Sequence, residues 1–242
     1  MGISLCLDFG NTRQKVGVFK GRDFLKEINL PDTSLQSIEA LLNECSPEKI
    51  ILSSVINHDP AIETYMAEKT KFHRLNHTSQ LPLTTPVGKP ETIGADRLAL
   101  VAAAVDLFPH SHNLVIGLGT CITYNFINNQ HEFLGGSISP GMNMRFRAMH
   151  EQTALLPYIK AETQFPLIGY DTKTNLLSGV IWGMSKEIDG IIDEYALKYS
   201  NFNVVLTGGD MPFFVPHLKN RIFADPNLIF KGLYAISEFN NR

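Results

Sequence analysis

Cysteine is scarce in this chain, and motifs of several common enzyme classes are missing. The 3 cysteines, Cys6, Cys45 and Cys121, are widely separated, and none belongs to a CxxC or CxxH pattern. The sequence also contains no HExxH pair, no GxSxG turn and no Walker A loop. The missing GxSxG and Walker A motifs argue against an α/β-hydrolase and a P-loop enzyme. The odd number and wide separation of the cysteines indicate that they are reduced structural thiols.

The chain also lacks an excess of basic charge and a long apolar run. With 21 Lys and Arg against 24 Asp and Glu the net charge is −3, too small and of the wrong sign for a surface that neutralises nucleic-acid phosphates. The longest apolar stretch, residues 98–107, is too short to span a bilayer and contains Asp106. No basic segment precedes Asp8, so the N-terminus does not resemble a signal peptide. We therefore expect a cytoplasmic protein that binds neither nucleic acid nor membrane.

The composition is that of an ordinary globular protein. Of 242 residues, 44% are hydrophobic and 19% are charged, and this length corresponds to one large domain or two small ones. Apolar runs bounded by turn residues predict strands, whereas apolar residues spaced three or four apart predict helices. In the first half these patterns predict strands at 3–9, 16–19, 23–30, 49–56 and 70–75, and helices at 35–42, 61–68 and 98–108.

The pattern stops between residues 109 and 113 and then starts again. Residues 114–127 form a strand, a glycine-containing turn and a second strand, which match the opening hairpin when residues 7–12 are aligned with 116–121. We interpret this match as an internal duplication, with an N-terminal domain at residues 1–110 and a C-terminal domain at 111–242. The second half is further predicted to contain a strand at 131–138, a helix after Pro140, a helix at 174–197, a strand at 203–207, and a final strand and helix within 227–240.

The first candidate site lies in the opening hairpin, where Asp8 is followed by Gly10, Asn11 and Thr12, and then by Lys15. Glycine can adopt backbone conformations closed to other residues, and such a turn can direct amides and side chains towards an anion. An aspartate at the end of a buried strand would repel phosphate unless a cation lay between them, as in the Mg²⁺ sites of nucleotide-binding proteins. The alternative is a tight hairpin in which Asp8 only caps the turn.

Two further glycine-rich turns follow strands in the second half. Gly119, Thr120 and Thr123 belong to GLGTCIT at 117–123, where glycines and hydroxyls suit close backbone approach to a second part of a polyphosphate. Gly208 and Gly209 follow the strand at 203–207 and leave room for a flat ring or a ribose. Either turn alone could be an ordinary glycine turn, but two phosphate-binding turns in two halves could hold one nucleotide.

The segment Gly94-Ala95-Asp96-Arg97 begins a predicted helix. Because Asp96 and Arg97 are adjacent in its first turn, they cannot face each other and can reach different partners. The carboxylate could accept a proton from a hydroxyl, and the guanidinium could hold an anion through two hydrogen bonds. The alternative is a helix N-terminus at which Asp96 favours the dipole and Arg97 is solvated. The corner GGSISPG at 135–141 could border an active site or simply turn the chain.

Six motifs together resemble, in order and spacing, those of the type III pantothenate kinases: DFGNTRQKVGVF at 8–19, IGADRLA at 93–99, GLGTCIT at 117–123, GGSISPGMNMR at 135–145, DTKTNLLSG at 171–179 and LTGGD at 206–210. The resemblance implies an α/β protein of the acetate and sugar kinase, Hsc70 and actin fold. That fold has two ribonuclease-H-like (actin-like ATPase) domains, whose duplicated mixed β-sheets are flanked by helices, with ATP in the cleft between them. The implied reaction is ATP-dependent phosphorylation of pantothenate to 4′-phosphopantothenate, the first step of coenzyme A biosynthesis.

The resemblance also implies roles for individual residues. The Gly94-Ala95-Asp96-Arg97 motif would bind pantothenate, with Asp96 as the general base and Arg97 on the pantothenate carboxylate. Thr172 would reach pantothenate across the interface of a homodimer whose sites are shared between its two subunits. Asp8 would organise Mg²⁺. The residues implied around ATP are Gly10, Asn11, Thr12, Lys15, Gly119, Thr120 and Thr123 at the phosphates, and Gly208 and Gly209 on the adenosine side.

The sequence departs from the family pattern at three positions. Gly117 and Asn125 stand where the family has aspartates, and the first of these is tied to a monovalent cation, K⁺ or NH₄⁺, so a dependence on that cation is not expected to carry over unchanged. Val87 stands where the family has a tyrosine that contacts pantothenate.

Two alternatives to the implied activity are a catalytically reduced regulatory homologue that binds nucleotide, and a kinase of the same fold for another small carboxylate or sugar. The presence of Asp8, Lys15, Asp96 and Arg97 favours the enzyme.

Overall fold

The computed structural model describes residues 2–240 and contains two five-stranded sheets with helices. The first half consists of β1 (Ile3–Phe9), β2 (Gln14–Lys20), β3 (Asp23–Leu30), α1 (Leu35–Cys45), β4 (Lys49–Ser54), α2 (Pro60–Lys69), β5 (Lys71–Arg74) and α3 (Ala95–Leu107). The second half consists of β6 (His112–Leu118), β7 (Cys121–Ile127), β8 (Phe133–Pro140), α4 (Met142–Glu151), α5 (Thr172–Lys198), β9 (Phe202–Thr207), α6 (Met211–Phe214), β10 (Phe223–Ala224) and α7 (Leu228–Asn240).

Strand order confirms the predicted duplication. The first sheet has the order β3-β2-β1-β4-β5, and the second has the order β10-β9-β6-β7-β8. Read in the opposite direction, the second sheet is β8-β7-β6-β9-β10, so β6 takes the place of β1 and the two strand orders are the same. In both sheets the central strand lies parallel to its later neighbour, β1 to β4 and β6 to β9. The expected α/β fold with duplicated mixed sheets is therefore confirmed.

The two faces of the first sheet have different chemistry. Leu5, Leu7 and Phe9 lie on one face, in a fully buried cluster with apolar residues of α1 and α2. Because side chains alternate along a strand, Ser4, Cys6 and Asp8 point to the other face. On that face the close approach of α7 requires Gly17, because a Cβ there would overlap the Phe230 ring. The polar end of this second face carries the first candidate site.

The second sheet is covered by an apolar layer from α4, α5 and α6. Buried side chains of β6, β7 and β9 pack with those of the helices, among them Phe146, Ile181, Ile188 and Phe214. The N-terminus of α5 is fixed by a capping box in which Asp171 accepts a hydrogen bond from the Thr174 backbone (2.7 Å). As a result α5 begins at Thr172, two residues earlier than its apolar spacing predicts.

The chain forms two compact units whose boundaries differ from residues 1–110 and 111–242. The first unit comprises the chain up to His110, Ile127–Leu134 and the segment from Asn227 onward, and the second comprises Ser111–Phe126 and Gly135–Pro226. The apolar helix α7 packs on α3, where Gly232 leaves no room for a Cβ against the Ala99 carbonyl. Thr84 exchanges backbone hydrogen bonds with the β7–β8 connection, 2.9 Å to His131 and 2.8 Å from Phe133. These long-range contacts carry no local sequence signal.

The element boundaries differ from the predicted ones mainly near the C-terminus. The last strand, β10, lies at Phe223–Ala224, before the segment in which a strand and a helix are predicted, and α7 occupies that segment alone. Short turns of helix at Pro90–Thr92, Met211–Phe214 and Val215–His217 are not predicted, because each is too short to show a period. Within residues 2–240, no helix is both long enough and apolar enough to cross a membrane.

Candidate functional site

Asp8 lies on the polar end of the first sheet, one residue before the end of β1. It is paired across the antiparallel ladder with Lys15 of β2 and across the parallel ladder with Ser53 of β4. The turn between β1 and β2 is closed by a hydrogen bond from the Gly10 amide to the Arg13 carbonyl (3.1 Å). The exposed Asn11 and Thr12 form its tip. The opening motif therefore places a carboxylate and an ammonium side by side at the base of an exposed turn.

The reason for glycine at position 10 differs from the predicted one. Gly10 is not among the residues with positive φ, so its conformation is open to other residues. A Cβ at this position would lie 3.3 Å from the Arg13 carbonyl oxygen, which is tighter than an ordinary van der Waals contact. Glycine thus serves the close approach of the two strands at the turn.

Lys15 is held by a neighbour that the sequence motifs do not include. Its Nζ lies 2.9 Å from Oε1 of Glu27 on β3, and both side chains are about three-quarters buried. Lys15 also acts on Asp8, since the ammonium lowers the pKa of that carboxyl. The ion pair with Glu27 orders the lysine beside Asp8. Glu27 has no motif of its own, and only the register of β2 with β3 brings it here.

The Asp8 carboxyl has a pKa raised to about 7. Burial is the largest cause, followed by the negative charge of Asp96, while Lys15 opposes both. The Asp96 carboxylate is thus close enough, within the first unit, to disfavour the charged form of Asp8. A cation at Asp8 would relieve this repulsion and lower the pKa. The Asp8 carboxyl is therefore in a different environment from that of a solvent-exposed turn cap.

Asp96 lies in the first turn of α3, as its motif predicts, and Gly94 is the N-cap residue. Burial raises the pKa of its carboxyl above the usual range, while the backbone amides of residues 96 and 97 and the charge of Arg97 act in the opposite direction. Oδ1 occupies the space where a residue at 94 would carry its Cβ, so Gly94 is required by this carboxylate. A buried carboxylate with a raised pKa is a stronger base than one in water, which suits proton abstraction.

Arg97 is partly buried and is not a solvated surface residue. Its guanidinium carbon lies 5.6 Å from the centre of the Phe133 ring, within the range of a cation–π contact. Burial lowers the pKa of Arg97, and the charge of Asp96 opposes this change. Ala95, between them in the motif, is buried at the start of α3. Arg97 thus contacts the Phe133 ring, while Oδ1 of Asp96 lies against Gly94.

In the second unit, two predicted glycine turns lie against each other. Gly208 has φ +105°, and its Cα approaches the backbone of Leu118 so closely that a Cβ would overlap it. The Asp210 amide also donates to the Leu118 carbonyl (3.2 Å). Gly209, by contrast, has open space around its Cα. The turn after β9 is thereby fixed beside the turn between β6 and β7, which contains Gly119 and Thr120.

The corner at residues 135–141 completes this group of turns. Gly141, the N-cap of α4, donates a hydrogen bond to the Thr120 carbonyl (3.1 Å), and a Cβ at 141 would overlap that carbonyl. No side chain caps the N-terminus of α4, and its first turn contains no acidic residue. Thr123 accepts a hydrogen bond from the Asn125 amide (3.2 Å), so its own hydroxyl proton can be donated elsewhere. These donors suit an anion beside the exposed Gly119-Thr120 turn.

Thr172 is the exposed first residue of α5. The segment before it exposes large apolar side chains, with Leu167 at 68%, Ile168 at 84% and Tyr170 at 81% of their full accessible surface. Val87, where the family has a tyrosine, lies in the irregular connection between β5 and α3 and is partly buried.

Comparison with known proteins agrees with the motifs. A family model for type III pantothenate kinase matches residues 4–194. A type III pantothenate kinase from Bacteroides fragilis (strain YCH46) is 40% identical over 243 residues, covering 99% of this chain and 99% of that protein. One from Christiangramia forsetii is 38% identical over 240 residues, covering 98% and 99%.

A solved structure shows the same fold at much lower sequence identity. The glucokinase from an Antarctic psychrotroph superposes with a TM-score of 0.53 and 10% identity, covering 100% of both chains. This likeness supports the fold alone, whereas the full-length sequence matches establish kinship. The chain therefore belongs to the type III pantothenate kinase family.

Proposed function

We propose that the chain transfers the γ-phosphoryl group of ATP to the hydroxyl of pantothenate and forms 4′-phosphopantothenate, the first step of coenzyme A biosynthesis. The observation that carries this proposal is the start of α3. There Asp96, a partly buried carboxylate with a raised pKa, directly precedes Arg97 in the chain and acts electrostatically on Asp8. We further propose a cytoplasmic location, where ATP is available as the phosphoryl donor.

Asp96 has the chemistry of a base for an alcohol. Its Oδ1 lies against Gly94 in the first turn of α3, so the fold orients the carboxylate before the substrate arrives. Phosphoryl transfer through a loose transition state needs little covalent help, and the hydroxyl proton is lost late. A carboxylate that orients the hydroxyl and then accepts its proton is therefore sufficient.

Asp8 fits a magnesium ion carried by the nucleotide. No cluster of three or more His, Cys, Asp or Glu in residues 2–240 could form a metal cage. Mg²⁺ in kinases is instead held by one or two carboxylates together with the substrate phosphates. When bound, Mg²⁺ neutralises charge on the phosphates, and Asp8 is the residue proposed to hold it. Lys15 would stabilise the negative charge that develops on the transferred group.

The remaining contacts to ATP are assigned to backbone turns. In the first unit, the exposed turn of Gly10, Asn11 and Thr12 is proposed to contact phosphate. In the second unit, Gly119, Thr120 and Thr123 supply amide and hydroxyl donors. We assign the adenosine side to Gly208 and Gly209, since Gly209 leaves open space around its Cα.

Arg97 is expected to select substrates with a carboxylate. In Arg97→Ala we predict that KM for pantothenate rises by about 10-fold to 100-fold, because a hydrogen bond to a charged group contributes about 1.5–3 kcal/mol. Pantothenol, which has a hydroxymethyl group in place of the carboxylate, should be a poor substrate for the wild type and be affected little by the substitution. Steady-state kinetics with both acceptors measure this, and the exposed Arg22 provides a control as Arg22→Ala. An equal loss with both acceptors would contradict the assignment.

A requirement for K⁺ or NH₄⁺ is not expected in this chain. Asn125 is fully buried, and its amide donates to the Val115 carbonyl (3.1 Å) and to Thr123 (3.2 Å), an arrangement that offers hydrogen-bond donors where a cation needs oxygen ligands. Gly117 provides no side chain at all. Turnover in KCl should equal turnover in choline chloride at the same ionic strength. Turnover that appears only with K⁺ or NH₄⁺ would show that other oxygen atoms supply the site.

We propose a homodimer in which Thr172 contacts the pantothenate bound by the partner. Its support is the apolar surface of Leu167, Ile168 and Tyr170 directly before α5, which is unusual for a monomer. In Ile168→Asp the dimer should dissociate and turnover should fall, because a charge at the centre of an apolar interface loses its hydration. Sedimentation velocity and activity together test this. Leu197 is exposed near the C-terminal end of α5, so Leu197→Asp is the control.

An acceptor panel separates the proposed reaction from its alternatives. ATP, Mg²⁺ and the purified protein are incubated with pantothenate, with glucose or with a small hydroxy acid, and ADP release is measured. Only pantothenate should give turnover. ADP release with glucose or the hydroxy acid instead would favour a kinase for another acceptor. ATP binding without turnover on any acceptor would favour the regulatory homologue.

A further inference from the structure

The buried hydroxyl of Ser53, beside Asp8, takes no part in the proposed reaction as described above. Ser53 is fully buried on β4, and its Oγ has no hydrogen-bond partner among the described residues. Leaving a buried hydroxyl unpaired costs about 1–3 kcal/mol. Only one other buried side-chain N or O atom in residues 2–240, Nε1 of Trp182, is also unpaired. The hydroxyl of Ser53 is therefore an exception within an otherwise satisfied interior.

The strand register places this hydroxyl at the proposed magnesium site. Ser53 of β4 is the direct partner of Asp8 in the parallel ladder, so both side chains point to the same face of the sheet. Neighbouring strands lie about 4.8 Å apart, a distance over which a serine hydroxyl reaches an aspartate oxygen directly or through one water. Together with Lys15, Ser53 flanks Asp8 on both sides.

We propose that Ser53 is a positioning residue for the divalent cation. Its hydroxyl donates a hydrogen bond to the Asp8 carboxylate, or to a water on the cation, when Asp8 is ionised and metal is bound. Lys15 occupies the other flank of Asp8 and is already paired with Glu27, so Ser53 supplies the fixed neutral donor. Donors behind a ligating carboxylate orient it and raise metal affinity. This inference rests on the proposed function.

The neighbouring serine offers a matched control. Ser54 follows in the same strand but points to the opposite, apolar face, where its Oγ donates to the Ile56 carbonyl (3.1 Å) and contacts Nδ1 of His58 (3.1 Å). Its hydroxyl is satisfied in the metal-free protein, whereas that of Ser53 is not. The two substitutions to alanine should therefore have opposite effects.

The test compares metal binding with stability. Binding of AMP-PNP, a non-hydrolysable ATP analogue, is measured by calorimetry with Mn²⁺ and without metal, and thermal unfolding is measured on the metal-free protein. In Ser53→Ala the affinity for Mn²⁺·AMP-PNP should fall by about tenfold, while metal-free AMP-PNP binding is unchanged and Tm is unchanged or higher. Ser54→Ala should lower Tm and leave the Mn²⁺-dependent affinity unchanged.

Two results would overturn the inference. One is an unchanged Mn²⁺-dependent affinity in Ser53→Ala, and the other is an equal loss of affinity with and without metal accompanied by a lower Tm. If Ser53→Ala does not fold, the near-isosteric Ser53→Cys provides the same comparison, since a thiol is a weak donor. Failure of the proposed function is distinguishable. In that case the wild type would bind Mn²⁺·AMP-PNP and Ser53→Ala would bind it less tightly, yet pantothenate would not be phosphorylated.

Discussion

Asp96→Asn is expected to lower kcat for pantothenate phosphorylation by at least about 10²-fold, the usual contribution of a positioned general base. Asparagine has nearly the same shape and fits the same place in the first turn of α3. It cannot accept the proton of the attacking hydroxyl at neutral pH. The loss should therefore appear in kcat, while KM for pantothenate changes little because Arg97 still binds the carboxylate.

A control on the same helix separates chemistry from folding. Asp106 lies near the C-terminal end of α3 with a side chain 46% exposed, so Asp106→Asn should retain full turnover. Circular dichroism and Tm should be similar for both variants and the wild type. If Asp96→Asn retains most of the wild-type kcat, another group takes the proton and the role assigned to Asp96 is wrong.

Asp8→Asn is expected to abolish turnover and at the same time to stabilise the metal-free protein. Loss of the carboxylate removes the proposed Mg²⁺ ligand, for which we expect a fall in kcat of at least about 10²-fold. It also removes a partly buried carboxyl whose pKa is raised from its usual value of 3.8 to about 7 by burial and by the charge of Asp96. Function and stability thus conflict at this residue.

The pH dependence of this effect has a definite sign. Between the unfolded pKa and the folded pKa of about 7, the folded state holds the Asp8 proton more tightly than the unfolded state does. The contribution of the Asp8 carboxyl to the free energy of unfolding is therefore fully present at low pH, and it is lost as the pH rises towards and through 7. At pH 8 the Tm of metal-free Asp8→Asn should exceed that of the wild type by at least about 2 °C, and the difference should become small as the pH falls to 4.

Thermal unfolding of both proteins from pH 4 to 8 measures this difference. Comparing the variant with the wild type at each pH cancels the contributions of other titrating groups. Addition of Mg²⁺ and ADP should raise the Tm of the wild type more than that of the variant, because ligands stabilise the state they bind. A lower Tm for Asp8→Asn at pH 8 would indicate that the carboxylate is already stabilised by partners in the metal-free protein.

Most of the fold can be predicted from the sequence because its local signals are consistent. Apolar runs bounded by turn residues identify β1 and β2, and apolar residues at helical spacing identify α5, without tertiary information. The short strand β10 and the return of α7 to the first unit depend on contacts distant in sequence. Gly232, which allows α7 to approach Ala99, looks like any other glycine until both helices are placed.

The candidate site can be predicted from the sequence where a glycine, an acidic residue and a basic residue lie in one short motif. Asp8 with Lys15, and Asp96 with Arg97, are of this kind, although the effect of Asp96 on Asp8 depends on the fold. Glu27 and Ser53 are not, since strand register alone brings them beside Lys15 and Asp8. A polar residue near the end of an apolar strand, as in KIILSS of β4, is the one signal that could have indicated Ser53.

The most direct test is to observe the product itself. Phosphorus NMR of the wild-type protein with ATP, Mg²⁺ and pantothenate should show loss of the γ-phosphate signal and appearance of a phosphomonoester on the primary hydroxyl of pantothenate, in equal amounts with ADP. Asp96→Asn should show neither change on the same timescale. Release of inorganic phosphate without a phosphomonoester, or no consumption of ATP with an intact dimer present, would contradict the assignment of this chain as a pantothenate kinase.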